Sequence, residues 1–139
     1  MNSEPTRETE IDRVSELLGL PKKINDLDAL NAQIAEGFSA ESVEKLLNTL
    51  ASKPALNLIP ERAFRRAKSE KRPISAANSQ ILYDFARAYL VADRVHHGNG
   101  ASVMRFFEKP SEDLGGAVPM ALAISSPAGA DAVIDLLNR

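Results

Sequence analysis

Residues 62–72 read RAFRRAKSEKR, in which Arg62, Arg65, Arg66, Lys68, Lys71 and Arg72 stand against the single carboxylate of Glu70. On a helix, Arg62, Arg66 and Ser69 fall near one another at i, i+4 and i+7, with Arg65 and Lys68 beside them. Ala63, Phe64 and Ala67 then turn inward. The chemistry open to such a face is nucleic-acid recognition, since arginine forks reach guanine edges and lysines neutralise phosphates. A solvated basic face, or one that docks an acidic partner, has the same composition. The block is local, because the chain as a whole carries −2. Its first sixteen residues set Glu4, Glu8, Glu10, Asp12 and Glu16 against Arg7 and Arg13. A basic patch of this kind is felt by phosphates despite the global sign.

Catalytic chemistry finds little to build on. His96 and His97 are adjacent, so on a helix they diverge by about 100° and cannot face one metal together. Followed by Gly98, they fit a helix C-terminus, where imidazolium complements the dipole. Glu112-Asp113 has no identifiable partner base or nucleophile. Gly115-Gly116 is not followed by Lys-Ser/Thr, so no phosphate loop of the Walker type is present. The chain has no cysteine, which removes disulfides and thiolate metal sites and fits a reducing compartment. The expectation is a protein that is not an enzyme and needs neither metal nor cofactor.

A second stretch calls for explanation. Residues 106–122, FFEKPSEDLGGAVPMAL, place Pro110, Gly115, Gly116 and Pro119 within ten positions of an otherwise helical pattern. Pro110 ends one helix, Gly115-Gly116 allow a positive-φ turn or a close backbone approach, and Pro119 starts another helix. Leu114 is expected to plug the core between them. By itself this describes a tight helix–helix corner.

The elements that would carry these residues are helices throughout. Ile11, Val14, Leu17 and Leu18 form one stripe, ended by Gly19 and Pro21. Leu27, Leu30, Ile34 and Ala35 form the next, closed by Gly37. Ser39 caps a helix burying Val43, Leu46, Leu47 and Leu50, and Pro54 stops it. Pro60 suits the first turn of the basic helix. Ser75 opens the longest helix, running to about His97. It presents Ile81, Leu82, Phe85, Ala86, Tyr89, Ala92 and Val95 on one side, with Asp84, Arg87 and Arg94 towards the other. A short helix then buries Val103, Phe106 and Phe107. Ser126-Pro127 begins a last helix with Ala130, Val133, Ile134 and Leu137 inward. Hydrophobic residues make up 44% of the chain, enough for a packed interior. No apolar run approaches the roughly 20 residues of a membrane helix. The acidic N-terminus, MNSEPTRETEID, is unlike a secretory or mitochondrial leader, so a soluble cytoplasmic protein is expected. KRPIS, residues 71–75, reads as a domain junction.

Taken together, Phe106-Phe107-x-x-Pro110-x-x-x-Leu114-Gly115-Gly116-x-x-Pro119-x-x-Leu122, followed by Gly129-x-x-x-Val133-x-x-Leu136-Leu137-x-Arg139, resembles the C-terminal domain of the Xre/MbcA/ParS antitoxins. The resemblance covers roughly residues 75–139. It extends less fully to GFSAESVEKLLNTL, from Gly37, and to Arg62-Ala63-Phe64-x-Arg66-x-Lys68 followed by RPIS. Departures are visible. Phe106 and Phe107 stand where Trp and Leu are usual, and Ser125 or Ser126 replaces a Thr. Residues 51–58 are thinner than the family's helix and turn, and Ala63 and Ala67 replace polar residues.

The resemblance implies an all-α chain. Residues 1–24 would be a helical or partly ordered extension, 25–74 an Xre-like helix-turn-helix DNA-binding domain, and 75–139 a toxin-binding domain. It implies a type II antitoxin whose partner is a RES-domain toxin that consumes NAD or uses it for ADP-ribosylation. The C-terminal domain would cover the toxin's active-site cleft, and the N-terminal domain would bind operator DNA in the operon's own promoter. A homodimer, with the long helix as its surface, and no membrane association are implied with it. DNA contact then falls to Arg62, Arg65, Arg66, Lys68, Lys71 and Arg72, and toxin contact to Leu114, Gly115, Gly116, Pro119 and Arg139. Arg139 either occupies a phosphate position in the toxin's nucleotide cleft, or complements its own helix dipole or frays. Two other classes stand beside this one: a stand-alone helix-turn-helix regulator without a toxin, and a small helical enzyme or ligand carrier.

Overall fold

A computed structural model of the 139-residue chain describes residues 7–20, 26–50 and 58–139. Pro21, Pro54, the segment 51–57, and 1–6 and 21–25 of the N-terminal extension lie outside the described residues. The described residues are all-α, with eight α-helices, one 3₁₀ turn and no strand among them. The chain divides into two compact units, residues 1–80 and 81–139.

Unit 1 contains α1 (Arg7–Leu18), α2 (Leu27–Glu36), α3 (Ala40–Leu50), α4 (Glu61–Glu70) and the start of α5 (Ala76–Val95). The stripe Ile11, Val14, Leu17 and Leu18 on α1 is buried, facing α2 and α3. Asp26 caps α2 by accepting from the Ala29 N–H at 2.8 Å, and Leu30 and Ile34 are its buried positions. Leu27 departs from expectation. It lies in the first turn, 37% exposed, and Ala35 is exposed too. Gly37 ends α2, its N–H meeting the Gln33 and Ile34 carbonyls. Ser39 then caps α3 through the Ser42 N–H at 3.1 Å, a side-chain acceptor for one of the otherwise unpaired N–H groups of a helix start. The turn of Gly37, Phe38 and Ser39 is tied down from two sides. The Ile74 N–H donates to the Phe38 carbonyl at 2.9 Å, and the Phe38 N–H donates to Ser79 Oγ at 2.8 Å. Fully buried Phe38 therefore has its backbone satisfied by the segment that enters α5.

Unit 2 continues α5 and adds α6 (Gly100–Glu108), the 3₁₀ turn Glu112–Leu114, α7 (Pro119–Ser125) and α8 (Pro127–Leu137). Phe85 and Phe107 stack at a centroid distance of 5.0 Å, both fully buried, while Phe106 is half-buried. Proline opens both short helices at N1, and Ser126 caps α8 through the Gly129 N–H at 2.9 Å. The helix α8 buries Ala130, Val133 and Leu137 and packs closely on α7.

One correction concerns α5. Asp84 and Arg87 do not face outward: the side chains are 3% and 14% exposed and pair at 3.1 Å. Arg87 also reaches Asp131 of α8 at 3.0 Å and lies over the Tyr83 ring at 5.4 Å. Burial pulls the guanidinium towards neutrality. Its hydrogen bonds to Asp131 and Asp84, with the field of Tyr83 and Asp84, outweigh that and hold it above its ordinary value. Because Ala86, Ala88 and Ala92 are also buried, α5 is covered over more of its circumference than a one-sided stripe predicts. Val95, by contrast, is 39% exposed.

Tyr89 gives a pH signature. Burial, and secondarily the Asp93 carboxylate, push its phenol above the ordinary 10.0. A phenol that ionises later in the folded state contributes stability that is whole below about pH 10 and lost as pH rises through its raised folded value. Urea unfolding midpoints should therefore fall between pH 9 and pH 11, and Tyr89→Phe should shallow that fall. An identical pH profile in the variant would contradict the assignment.

Candidate functional site

The basic residues fall where the sequence places them, on α4 and its end. Pro60 stands at the N-cap, one position ahead of the first turn. Ala67 is buried and Ala63 and Phe64 half-buried, so Arg62, Arg65, Arg66 and Ser69 share the outer face. Lys71 closes the helix in the left-handed conformation, its N–H on the Ala67 carbonyl. All six cations are exposed, but they are not equivalent. Arg65 pairs with Glu61 at 2.7 Å, Arg66 with Glu70 at 3.3 Å, Arg72 with Glu70 at 3.5 Å and Lys68 with Glu44 of α3 at 3.0 Å. Arg62 and Lys71 have no ion-pair partner among the described residues. These exposed pairs are individually weak, about 0–1 kcal/mol, so the face remains exchangeable.

Glu61, Glu44 and the double role of Glu70 were missed by counting cations. The i, i+4 spacings of Glu61–Arg65 and Arg66–Glu70 carried the signal; Glu44, twenty-four residues from Lys68, had none. A helix packs ahead of α4 as a helix-turn-helix needs, since α3 contacts it. Ten residues, 51–60, separate the two helices, whereas the motif's own turn takes about three or four.

The second candidate is the corner between α6 and α7. The Ser111 carbonyl accepts from Leu114 and Gly116, at 3.1 and 2.8 Å, and the Ser111 N–H donates to the Ala117 carbonyl at 3.0 Å. That ring of backbone bonds fixes the turn, with Gly115 at φ 68° and Gly116 at φ 89°. Neither glycine has an atom within 4 Å of where a Cβ would sit. The requirement is therefore for positive φ alone and not for close approach. Gly115→Ala should accordingly cost only about 1 kcal/mol and shift the melting temperature of the chain by a few degrees. Outright unfolding would mean the space is not open.

Leu114 is half-buried and not a full plug, because the 3₁₀ turn that carries it buries no residue. Gly115 and Gly116 are exposed, while Pro119 is buried at the start of α7. Pro119 thus positions the corner, and Leu114, Gly115 and Gly116 present it. Arg139 joins them: its guanidinium lies 3.9 Å from Asp113, both side chains 65% exposed.

His96 and His97 follow the last turn of α5, where the His96 N–H meets the Ala92 carbonyl at 2.9 Å, and the His96 ring lies 6.1 Å from that of Phe106. Among the described residues no group of three His, Cys, Asp or Glu could hold a metal, and no helix is long and apolar enough to cross a membrane. No protein-family model matches the chain, and no curated protein matches it.

Proposed function

We propose that the chain is a type II antitoxin that neutralises a RES-domain, NAD-consuming or ADP-ribosylating toxin by covering its active site, and that it autorepresses its operon through α4. The observation that carries the reading is the corner. Leu114-Gly115-Gly116, a proline at N1 of α7 and a Gly129-x-x-x-Val133-x-x-Leu136-Leu137 helix occur in the order of the family they resemble. They fold into one hydrogen-bonded turn with Arg139 at its side. A corner fixed in advance gives up little conformational entropy on docking, which suits a surface that must fill a cleft. Its test is co-purification with the protein encoded by the adjacent reading frame. Retention of that protein by the wild type, and weaker neutralisation by Arg139→Ala at unchanged fold, support the reading. An unaltered inhibition constant removes the role of Arg139, and failure to retain the neighbour removes the toxin partner.

The alternative, a stand-alone helix-turn-helix regulator in the cytoplasm, draws on a different observation, the exposed cations of α4. It predicts retention of promoter DNA without any neighbouring protein. Neither reading requires catalysis, a metal or a cofactor, and both allow a homodimer.

A further inference from the structure

We infer that Glu70 limits the affinity of α4 for duplex DNA, acting as an internal substitute for phosphate on two arginines. The inference rests on the reading of α4 as a DNA-contacting helix. One carboxylate uses both oxygens: Oε2 accepts from Arg66 Nε at 3.3 Å, and Oε1 lies 3.5 Å from Arg72 Nε. Glu61 holds a single arginine and Glu44 a single lysine. In each pair with Glu70 the guanidinium is about three-quarters exposed, so nothing but the carboxylate fixes it. Exposed pairs of this strength exchange readily, and a phosphate presents the same planar-fork acceptor to an arginine.

The partner follows from charge and spacing. Arg62 and Lys71, the two cations without an ion pair among the described residues, stand nine residues apart, about 14 Å of helical rise. A major groove is about 12 Å wide between its phosphate walls, so the two ends of α4 are spaced to meet them. The first encounter falls to these two. Arg66 and Arg72 contribute only after leaving Glu70. A cation already neutralised within the protein displaces fewer counterions from DNA, so the wild-type salt dependence should be shallower than six cations suggest.

The test uses full-length Glu70→Gln, with Glu61→Gln for comparison and Glu108→Gln as a control of equal charge change on α6, titrated into a fluorescein-labelled 20-base-pair duplex of mixed sequence. Glutamine keeps the helix propensity, and loss of a negative charge in the last turn favours the dipole; circular dichroism verifies the fold. Glu70→Gln should bind about fivefold tighter at 50 mM salt, with the slope of log affinity against log salt steeper by about one to two. Glu61→Gln should gain less, and Glu108→Gln nothing. Equal gains in Glu70→Gln and Glu108→Gln would reduce the effect to net charge and overturn the proposal, as would an unchanged slope. If the wild type and every variant ignore the duplex at 25 mM salt, the DNA reading of α4 itself falls. Capture of poly-glutamate in place of the duplex would assign the face to an acidic protein and overturn the proposal too.

Discussion

Gly37→Ala is expected to destabilise unit 1 by about 4 kcal/mol, from two costs that add at one atom. The backbone at Gly37 has φ 96° and ψ 142°, a region essentially closed to residues with a Cβ, at about 1–3 kcal/mol. A Cβ built there would also run into the Ile74 carbonyl oxygen, with Pro73 Cβ close behind. That oxygen cannot swing aside, because the Ile74 N–H is held by the Phe38 carbonyl, and forced overpacking costs about 1–3 kcal/mol more. Relief requires parting the α2–α3 turn from the entry to α5, which frees the Phe38 N–H from Ser79. The measurement is thermal melting together with peptide-resolved hydrogen exchange. A fall of ten degrees or more, with protection lost over 27–48 and 74–80, is the expected outcome. A melting temperature within two degrees of wild type would show that the contact does not exist.

The second large effect falls on unit 2. Gly129 is buried in the first turn of α8, and a Cβ there would overlap the Leu122 carbonyl oxygen and approach Ser125 Oγ to 2.8 Å. The Ser125 hydroxyl is itself bonded to that same carbonyl at 2.7 Å, so both obstacles belong to the end of α7. Gly129→Ala should cost about 2–3 kcal/mol through separation of α7 from α8. Since Arg139 follows α8 and pairs with Asp113 at the corner, the same separation should displace Arg139 from Leu114-Gly115-Gly116. Toxin neutralisation should then suffer more in Gly129→Ala than in Gly115→Ala. Equal neutralisation by the two variants would break the link between the α7–α8 contact and the corner.

Much of this architecture was legible because it depends on local rules. Apolar spacing located α1, α3 and α8, and Ser39, Ser75 and Ser126 were readable as caps. Each receives an N–H three residues on. Periodicity failed where burial is not apolar. Asp84 looks like a surface residue until Arg87 and Asp131 are known to meet it in space, and Asp131 lies on another helix. It failed again at element ends, where Leu27 and Val95 sit at helix termini with less to cover them. At the candidate sites, residue types and order located both the cations and the corner. The sequence could not show which cations are already satisfied, nor that Pro119 is buried while its neighbours Gly115 and Gly116 are presented. Those distinctions depend on which side chains the packed helices bring together.

The central claim is tested most directly by measuring NAD in cells that express the adjacent reading frame, alone and together with this chain. NAD should collapse when the neighbour is expressed alone and recover when full-length wild type is supplied. Gly129→Ala should restore it only in part. If the neighbour leaves NAD untouched, or if its depletion of NAD is indifferent to this chain, the antitoxin assignment is wrong, and the corner at Gly115-Gly116 is a structural turn in a DNA-binding regulator.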